Sequence, residues 1–116
     1  ANDKTSIALI EKFNNQHKPI AFVCHAPAAL KGVKNTDGSY LVKGKKVTGF
    51  SNLEEVQVGL NEIVPILVED MLIEAGAFYS NADAWAPFAI QDGNLITGQN
   101  PASSQLVAEK LLASLK

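Results

Sequence analysis

Residues 20–30 read IAFVCHAPAAL, and the fold follows largely from them. The first four residues form a continuous apolar run, without the polar alternation of a strand that faces water on one side. Such a run is typical of a strand that is buried on both faces, in a parallel sheet covered by helices. Pro27 suits the first turn of a helix. We therefore predict a strand over 20–23, followed at once by a helix, in an α/β fold.

Cys24 and His25 lie between this strand and this helix. Because consecutive strand side chains point to opposite faces, the two can serve one site only if the backbone turns sharply between them. Such a turn is a nucleophile elbow at the carboxyl edge of the sheet. A helix N-terminus and an imidazolium would favour the thiolate, and backbone amides could hold an oxyanion. In the alternative interpretation, Cys24 is a buried small hydrophobic residue and His25 a surface or capping residue.

An acidic residue that orients the histidine is expected beside such a pair, and Ser51-Asn52-Leu53-Glu54 is followed by a second glutamate. The four residues have the spacing of a capping box, which gives Glu54 a structural task. Glu55 lies about 100° further round the helix, so it is the better candidate to orient His25. The alternative for Glu55 is a solvated side chain that gains from the helix dipole.

The other predicted elements follow from apolar spacing and from turn and cap residues. They are a helix capped by Asn2 or Asp3 and ended by 14–19, a lysine-rich hairpin of 40–42 with 46–48, a helix from near Pro65 to Gly76, a hairpin of 88–91 with 95–97, and a helix over 102–116 capped by Asn100. One buried strand needs hydrogen-bond partners on its edges. We therefore expect strands N-terminal to Ala1, and 116 residues that form about half of an α/β domain.

Composition narrows the classes of function. The chain is 47% hydrophobic and 19% charged with a net charge of −2, as in one globular domain. All ten basic residues are lysines and they hardly cluster, so no nucleic-acid partner is expected. No apolar stretch is long enough to cross a membrane, and a lone cysteine fits a reducing compartment, which we take as the cytoplasm. His17, Cys24 and His25 lack the spacing of a zinc site, so no metal is predicted.

Four ordered blocks resemble the ThiJ/PfpI superfamily. Residues 21–30 resemble its cysteine elbow, and the blocks 47–55, 64–70 and 92–104 continue the match over nearly the whole chain. The subgroup they most resemble is the larger, heat-shock type with glyoxalase III activity. The resemblance implies a flavodoxin-like three-layer α/β sandwich with a mostly parallel sheet, related to class I glutamine amidotransferase domains. Residues 1–116 would be the C-terminal portion of a single such domain.

The resemblance also implies site residues. Cys24 would be the nucleophile, His25 its base and Glu55 the acidic member of the set, while a further family glutamate near the sulfur would lie before Ala1. The family usually has glycine where this chain has Ala26, whose methyl group could narrow the approach to the oxyanion amides. Ala26 and Trp85 are the predicted substrate contacts, although a loop aromatic such as Trp85 also commonly covers the core.

The expected function is that of a cofactor-independent, glutathione-independent glyoxalase III, which converts methylglyoxal to lactate through a Cys24 hemithioacetal. Two alternatives stay open: a cysteine amidase or peptidase, and a non-enzymatic stress chaperone or oxidation sensor. The expected partners are a small reactive aldehyde, a companion chain that carries the N-terminal half, and a second copy in a homodimer. We expect a companion because an isolated half would expose an apolar sheet edge.

Overall fold

The computed structural model describes residues 4–59 and 67–115. Their elements in chain order are α1 (Lys4–Asn15), β1 (Ile20–Val23), a first 3₁₀ helix (Ala26–Leu30), β2 (Lys46–Val47), α2 (Asn52–Gln57), α3 (Val68–Glu74), β3 (Phe78–Tyr79), β4 (Ala89–Asp92), β5 (Leu95–Gly98), a second 3₁₀ helix (Pro101–Ser103) and α4 (Ser104–Ser114). Within these ranges no helix is long and apolar enough to cross a membrane.

A mixed three-stranded sheet lies at the centre of the fold, in the order β1-β5-β4. β1 runs parallel to β5, with Val23 opposite Gly98, and β4 and β5 form an antiparallel hairpin. Both the strand over 20–23 and the hairpin around 92–94 are thereby confirmed, and α4 packs against β1 and β5. In the described residues β1 is an edge strand of this sheet.

The predicted hairpin of 40–42 with 46–48 is wrong. β2 pairs instead with β3. The two strands are parallel, and their first paired residues, Lys46 and Phe78, lie 32 residues apart in the chain. Leu41 and Val42 are both fully buried, at 2% and 0% exposure, whereas a strand turns consecutive side chains to opposite faces. The two residues belong to a turn that packs into the core, and a pairing between distant strands leaves no local turn signature.

Three helix predictions are adjusted at their ends. The helix after Cys24 is a 3₁₀ helix with Pro27 in its first turn. α3 ends just before Gly76, which has a left-handed φ of +88°, while the predicted entry near Pro65 and the cap of α1 lie outside the described residues. Asn100 caps the second 3₁₀ helix, which leads directly into α4.

Candidate active site

Cys24 occupies a sharp backbone turn at the carboxyl end of β1. Its φ is +63°, in the left-handed region that side chains other than glycine rarely adopt. Two hydrogen bonds hold the turn: the Cys24 amide donates to the Gly98 carbonyl at 3.0 Å, and the Cys24 carbonyl accepts from the Phe50 amide at 2.9 Å. The predicted bend is present, but the Cys24 amide is engaged with β5 and is not available to an oxyanion.

The bend brings Cys24, His25 and Glu55 together. The Cys24 Sγ lies 3.5 Å from the His25 Nδ1, and the opposite ring nitrogen, Nε2, is hydrogen-bonded to the Glu55 Oε1. Glu55 belongs to the first turn of α2 and is 1% exposed, while the His25 side chain is 44% exposed. A solvated Glu55 is therefore excluded, and the carboxylate faces the imidazole.

The Glu55 carboxylate also fixes the tautomer of His25. A carboxylate can only accept hydrogen bonds, so the Nε2 of His25 carries the hydrogen that it shares with Glu55. In the neutral imidazole the other nitrogen, Nδ1, then has a free lone pair. That lone pair is on the side of the thiol, which makes His25 a proton acceptor for Cys24.

The surroundings of Cys24 disfavour the thiolate, whereas the sequence predicts that it is stabilised. Burial raises the pKa of the thiol above its ordinary value, and the His25 backbone N–H offsets this only in part. The negative charges of Glu54 and Glu55 raise the pKa further. The helix that follows is only a short 3₁₀ segment. Loss of the thiol proton therefore needs an acceptor, and the Nδ1 of His25 lies within reach of it.

The raised thiol pKa predicts how alkylation of Cys24 depends on pH. Only the thiolate reacts, so the rate with iodoacetamide should keep rising at alkaline pH values where a free cysteine has already reached its plateau. Among the described residues, the titratable groups that act on the thiol are His25, by contact, and Glu54 and Glu55, through their charge. Alkylation measured by mass spectrometry across the pH range checks this. A curve shifted to acid pH would instead show a resting thiolate–imidazolium pair.

Glu54 is the centre of a buried hydrogen-bond network. The capping box with Ser51 is confirmed: Glu54 Oε1 accepts from the Ser51 amide and the Glu54 amide donates to the Ser51 hydroxyl. The same carboxylate also accepts from the Trp85 amide and from the side chains of Gln99 and Asn100, at 2.8–3.0 Å. Burial alone would raise the pKa of Glu54, but these hydrogen bonds outweigh it and hold the pKa below its usual range.

Aromatic rings extend the site from His25 toward Trp85. Phe50 lies against the His25 ring with centroids 4.3 Å apart, and Trp85 meets Phe50 edge-on at 5.6 Å. Sequence reasoning missed Phe50, Gln99 and Asn100; the only local signal was a polar Gln99-Asn100 pair directly before a proline. Ala26 is exposed at the start of the first 3₁₀ helix, next to His25.

The second histidine is remote from the site. His17 follows α1, ahead of β1 and therefore at the opposite edge of the sheet from Cys24, in a left-handed turn with a φ of +57°. It lines a surface pocket with asparagines 14, 15, 35 and 94. Within residues 4–59 and 67–115, no three His, Cys, Asp or Glu side chains are grouped to hold a metal ion.

Comparison with known proteins finds relatives both among curated sequences and among solved structures. No family model matches the chain. Glutathione-independent glyoxalase HSP31 of Saccharomyces cerevisiae is 36% identical over 103 residues, which are 84% of this chain and 44% of that protein. The X-ray structure of Rapid Encystment Protein 24 KDa of Francisella tularensis matches with a TM-score of 0.96 and 39% identity, over 99% of this chain and 51% of the other. The crystal structure of glyoxalase III from Candida albicans matches with a TM-score of 0.87 and 28% identity, over 93% of this chain and 48% of the other. A two-domain protein of Anabaena variabilis that contains DJ-1/ThiJ/PfpI-like and ferritin-like domains matches with a TM-score of 0.67 and 25% identity, over 97% of this chain and 25% of that one. The chain spans about half the length of the first three of these proteins.

Proposed function

The chain belongs to the DJ-1/ThiJ/PfpI superfamily, and from this premise we propose that it supplies the nucleophile and base of a glutathione-independent glyoxalase acting on methylglyoxal. The described sheet and helices are part of the flavodoxin-like fold of that superfamily. One observation carries the proposal. A strained bend places the Cys24 Sγ 3.5 Å from His25, whose other nitrogen faces the buried Glu55 carboxylate.

The proposed reaction begins with addition of Cys24 to an aldehyde. Sγ bonds to the aldehyde carbon of methylglyoxal while the thiol proton passes to the His25 Nδ1, and protonation of the oxygen gives a hemithioacetal. Glu55 stabilises the imidazolium formed in this step, since their contact then joins opposite charges.

The second stage moves hydrogen from one carbon to the next. A base, His25 or a group outside this chain, takes the proton from C1, and C2 receives a proton as its ketone becomes an alcohol. The hemithioacetal thereby becomes a thioester. Water adds to the thioester, Cys24 leaves as a thiol, and lactate is released. C1 is oxidised by as much as C2 is reduced, so the reaction needs no redox cofactor.

The domain that performs this reaction is proposed to be about twice the size of the chain, with residues 1–116 as its C-terminal portion. Two observations support this: the chain spans about half the length of the relatives, and β1 is an edge strand whose Ala21, Phe22 and Val23 are only half-buried. A further strand along β1 would cover these residues and pair its free backbone groups. The companion segment would supply that strand.

Turnover of methylglyoxal without glutathione is the prediction that tests the proposal. The purified protein, with any companion segment that copurifies, should consume methylglyoxal and release lactate in equal amounts in glutathione-free buffer. The same preparation should leave aminoacyl amides and peptide amides intact. Chromatography of both reactions checks this. Hydrolysis of the amides with methylglyoxal untouched would replace the proposal by the acyl-transfer alternative.

A further inference from the structure

We propose that Glu54 is a positioning residue for His25 and acts on its ring through Trp85 and Phe50. The inference rests on the proposed function only in taking His25 as the base. Glu54 and Glu55 are consecutive, and both are buried in the first turn of α2. Glu55 holds the imidazole directly at Nε2, while Glu54 would hold the same imidazole from its face.

The first link in this chain of contacts joins α2 to Trp85. The Trp85 amide donates to the Glu54 Oε2 at 2.9 Å, and its indole Nε1 donates to the Gln57 Oε1 at 2.5 Å. Glu54 and Gln57 are three residues apart and so lie on one helix face. Trp85 has a φ of +68°, a conformation that is strained for a residue other than glycine and persists only where the surroundings hold it. Hydrogen bonds at both ends of the residue hold Trp85 in place.

The loop that carries Trp85 is braced by two other partners of Glu54. Gln99 accepts from the Ala82 amide at 2.9 Å, and Asn100 donates to the Ala86 carbonyl at 2.8 Å. Both amide side chains also donate to the Glu54 carboxylate and are fully buried. The loop residues on both sides of Trp85 are therefore linked, through Gln99 and Asn100, to the same carboxylate that accepts from the Trp85 amide.

The second link is the aromatic stack. Trp85 meets Phe50 edge-on, with an interplanar angle of 68°, and Phe50 packs on His25 at 4.3 Å. Phe50 is 3% exposed, so its ring is enclosed by its neighbours, and Trp85 is one of them. The His25 side chain is nearly half exposed, and within residues 4–59 and 67–115 its close polar contacts are those with Glu55 and the thiol. A ring against its face keeps Nδ1 directed at Cys24.

A carboxylate is specifically required at position 54. Oε1 accepts from the Ser51 amide, the Ser51 hydroxyl and the Gln99 amide group, and Oε2 accepts from the Trp85 amide and the Asn100 amide group. All five partners donate. A glutamine here would turn its own N–H₂ group toward donors in either orientation. The orientation that preserves three bonds loses those to Trp85 and Asn100.

Glu54→Gln tests the proposal, with Glu69→Gln as the matched control. Glu69 accepts one bond, from the Asn52 amide, which a glutamine can still accept. In Glu54→Gln we expect kcat for methylglyoxal to fall about tenfold with little change in KM, because a misplaced base slows the chemical step. The fluorescence of Trp85, the only tryptophan of the chain, should shift to longer wavelength. Glu69→Gln should change neither quantity.

Trp85→Ala keeps the proposal testable if Glu54→Gln does not fold. It removes the ring that backs Phe50 and leaves the buried carboxylate unchanged, so kcat should again fall about tenfold. Wild-type kcat in Trp85→Ala, or in a folded Glu54→Gln, would overturn the proposal. Should the wild type not act on methylglyoxal, the proposed function fails, and alkylation of Cys24 by iodoacetamide decides the positioning role separately. Its rate should fall in Trp85→Ala, which leaves the charges of Glu54 and Glu55 in place, and not in Glu69→Gln. An unchanged alkylation rate in Trp85→Ala would overturn the positioning role.

Discussion

Replacing Cys24 by serine is expected to lower kcat/KM for methylglyoxal by about 10³-fold or more, with the fold intact. The hydrogen bonds that hold the turn to Gly98 and Phe50 come from the backbone of residue 24, so serine can keep them. An aliphatic alcohol, however, holds its proton far more tightly than a thiol does, and His25 is the only proton acceptor in contact with it among the described residues. Methylglyoxal loss in glutathione-free buffer gives the rate, and circular dichroism reports the fold.

Cys24→Ala is the companion variant to Cys24→Ser. If the thiol is the nucleophile, both variants should lose turnover to the same extent, because serine offers no usable nucleophile. Full consumption of methylglyoxal by Cys24→Ser without glutathione would refute the assignment of the nucleophile. A chaperone role would show itself differently, as suppression of client aggregation that survives the loss of Cys24.

The sequence was informative about the site where the chemistry is local. Cys24 and His25 are adjacent, and the bend that unites them follows from an apolar strand that runs directly into Pro27. Glu55 could be selected because a capping box occupies Glu54. What could not be predicted is contact over long separations: the three partners that make Glu54 a network centre, Trp85, Gln99 and Asn100, lie 31–46 residues along the chain.

The same distinction between local and distant contacts applies to the fold. The β4–β5 hairpin was predictable because Gly93, with a φ of +61°, marks its turn. The pairing of β2 with β3 was not predictable, because parallel strands need a long crossover and share no turn. The thiol pKa was predicted in the wrong direction for a related reason. Burial, the main cause of the raised thiol pKa, and the nearby charge of Glu54 both act on Cys24 only in the folded chain.

The second large effect is expected for Glu55→Gln, which should lower kcat/KM by about 10²–10⁴-fold. A glutamine that turns its N–H₂ group toward the His25 Nε2 would favour the tautomer with hydrogen on Nδ1, which cannot accept the Cys24 proton. A glutamine that turns its oxygen toward Nε2 keeps the tautomer but no longer neutralises the imidazolium. It would also place its N–H₂ where the Glu55 Oε2 is now buried with no hydrogen-bond partner among the described residues, at a cost of about 1–3 kcal/mol.

Glu54→Gln is the matched comparison for this variant, since the two substitutions remove the same charge from neighbouring buried positions. A residue that touches the base should matter more than one that acts through two rings, so Glu55→Gln should be slower than Glu54→Gln by about tenfold or more. The kcat/KM of both variants, measured with methylglyoxal across the pH range, tests this order. Equal losses of kcat/KM would mean that both variants are impaired by the removal of a buried charge and not by the loss of a particular contact with His25. Wild-type kcat/KM in Glu55→Gln would show that the reaction does not depend on the hydrogen bond between the His25 Nε2 and Glu55. Proton transfer from the Cys24 Sγ to the His25 Nδ1 would then no longer be supported as a step of the reaction.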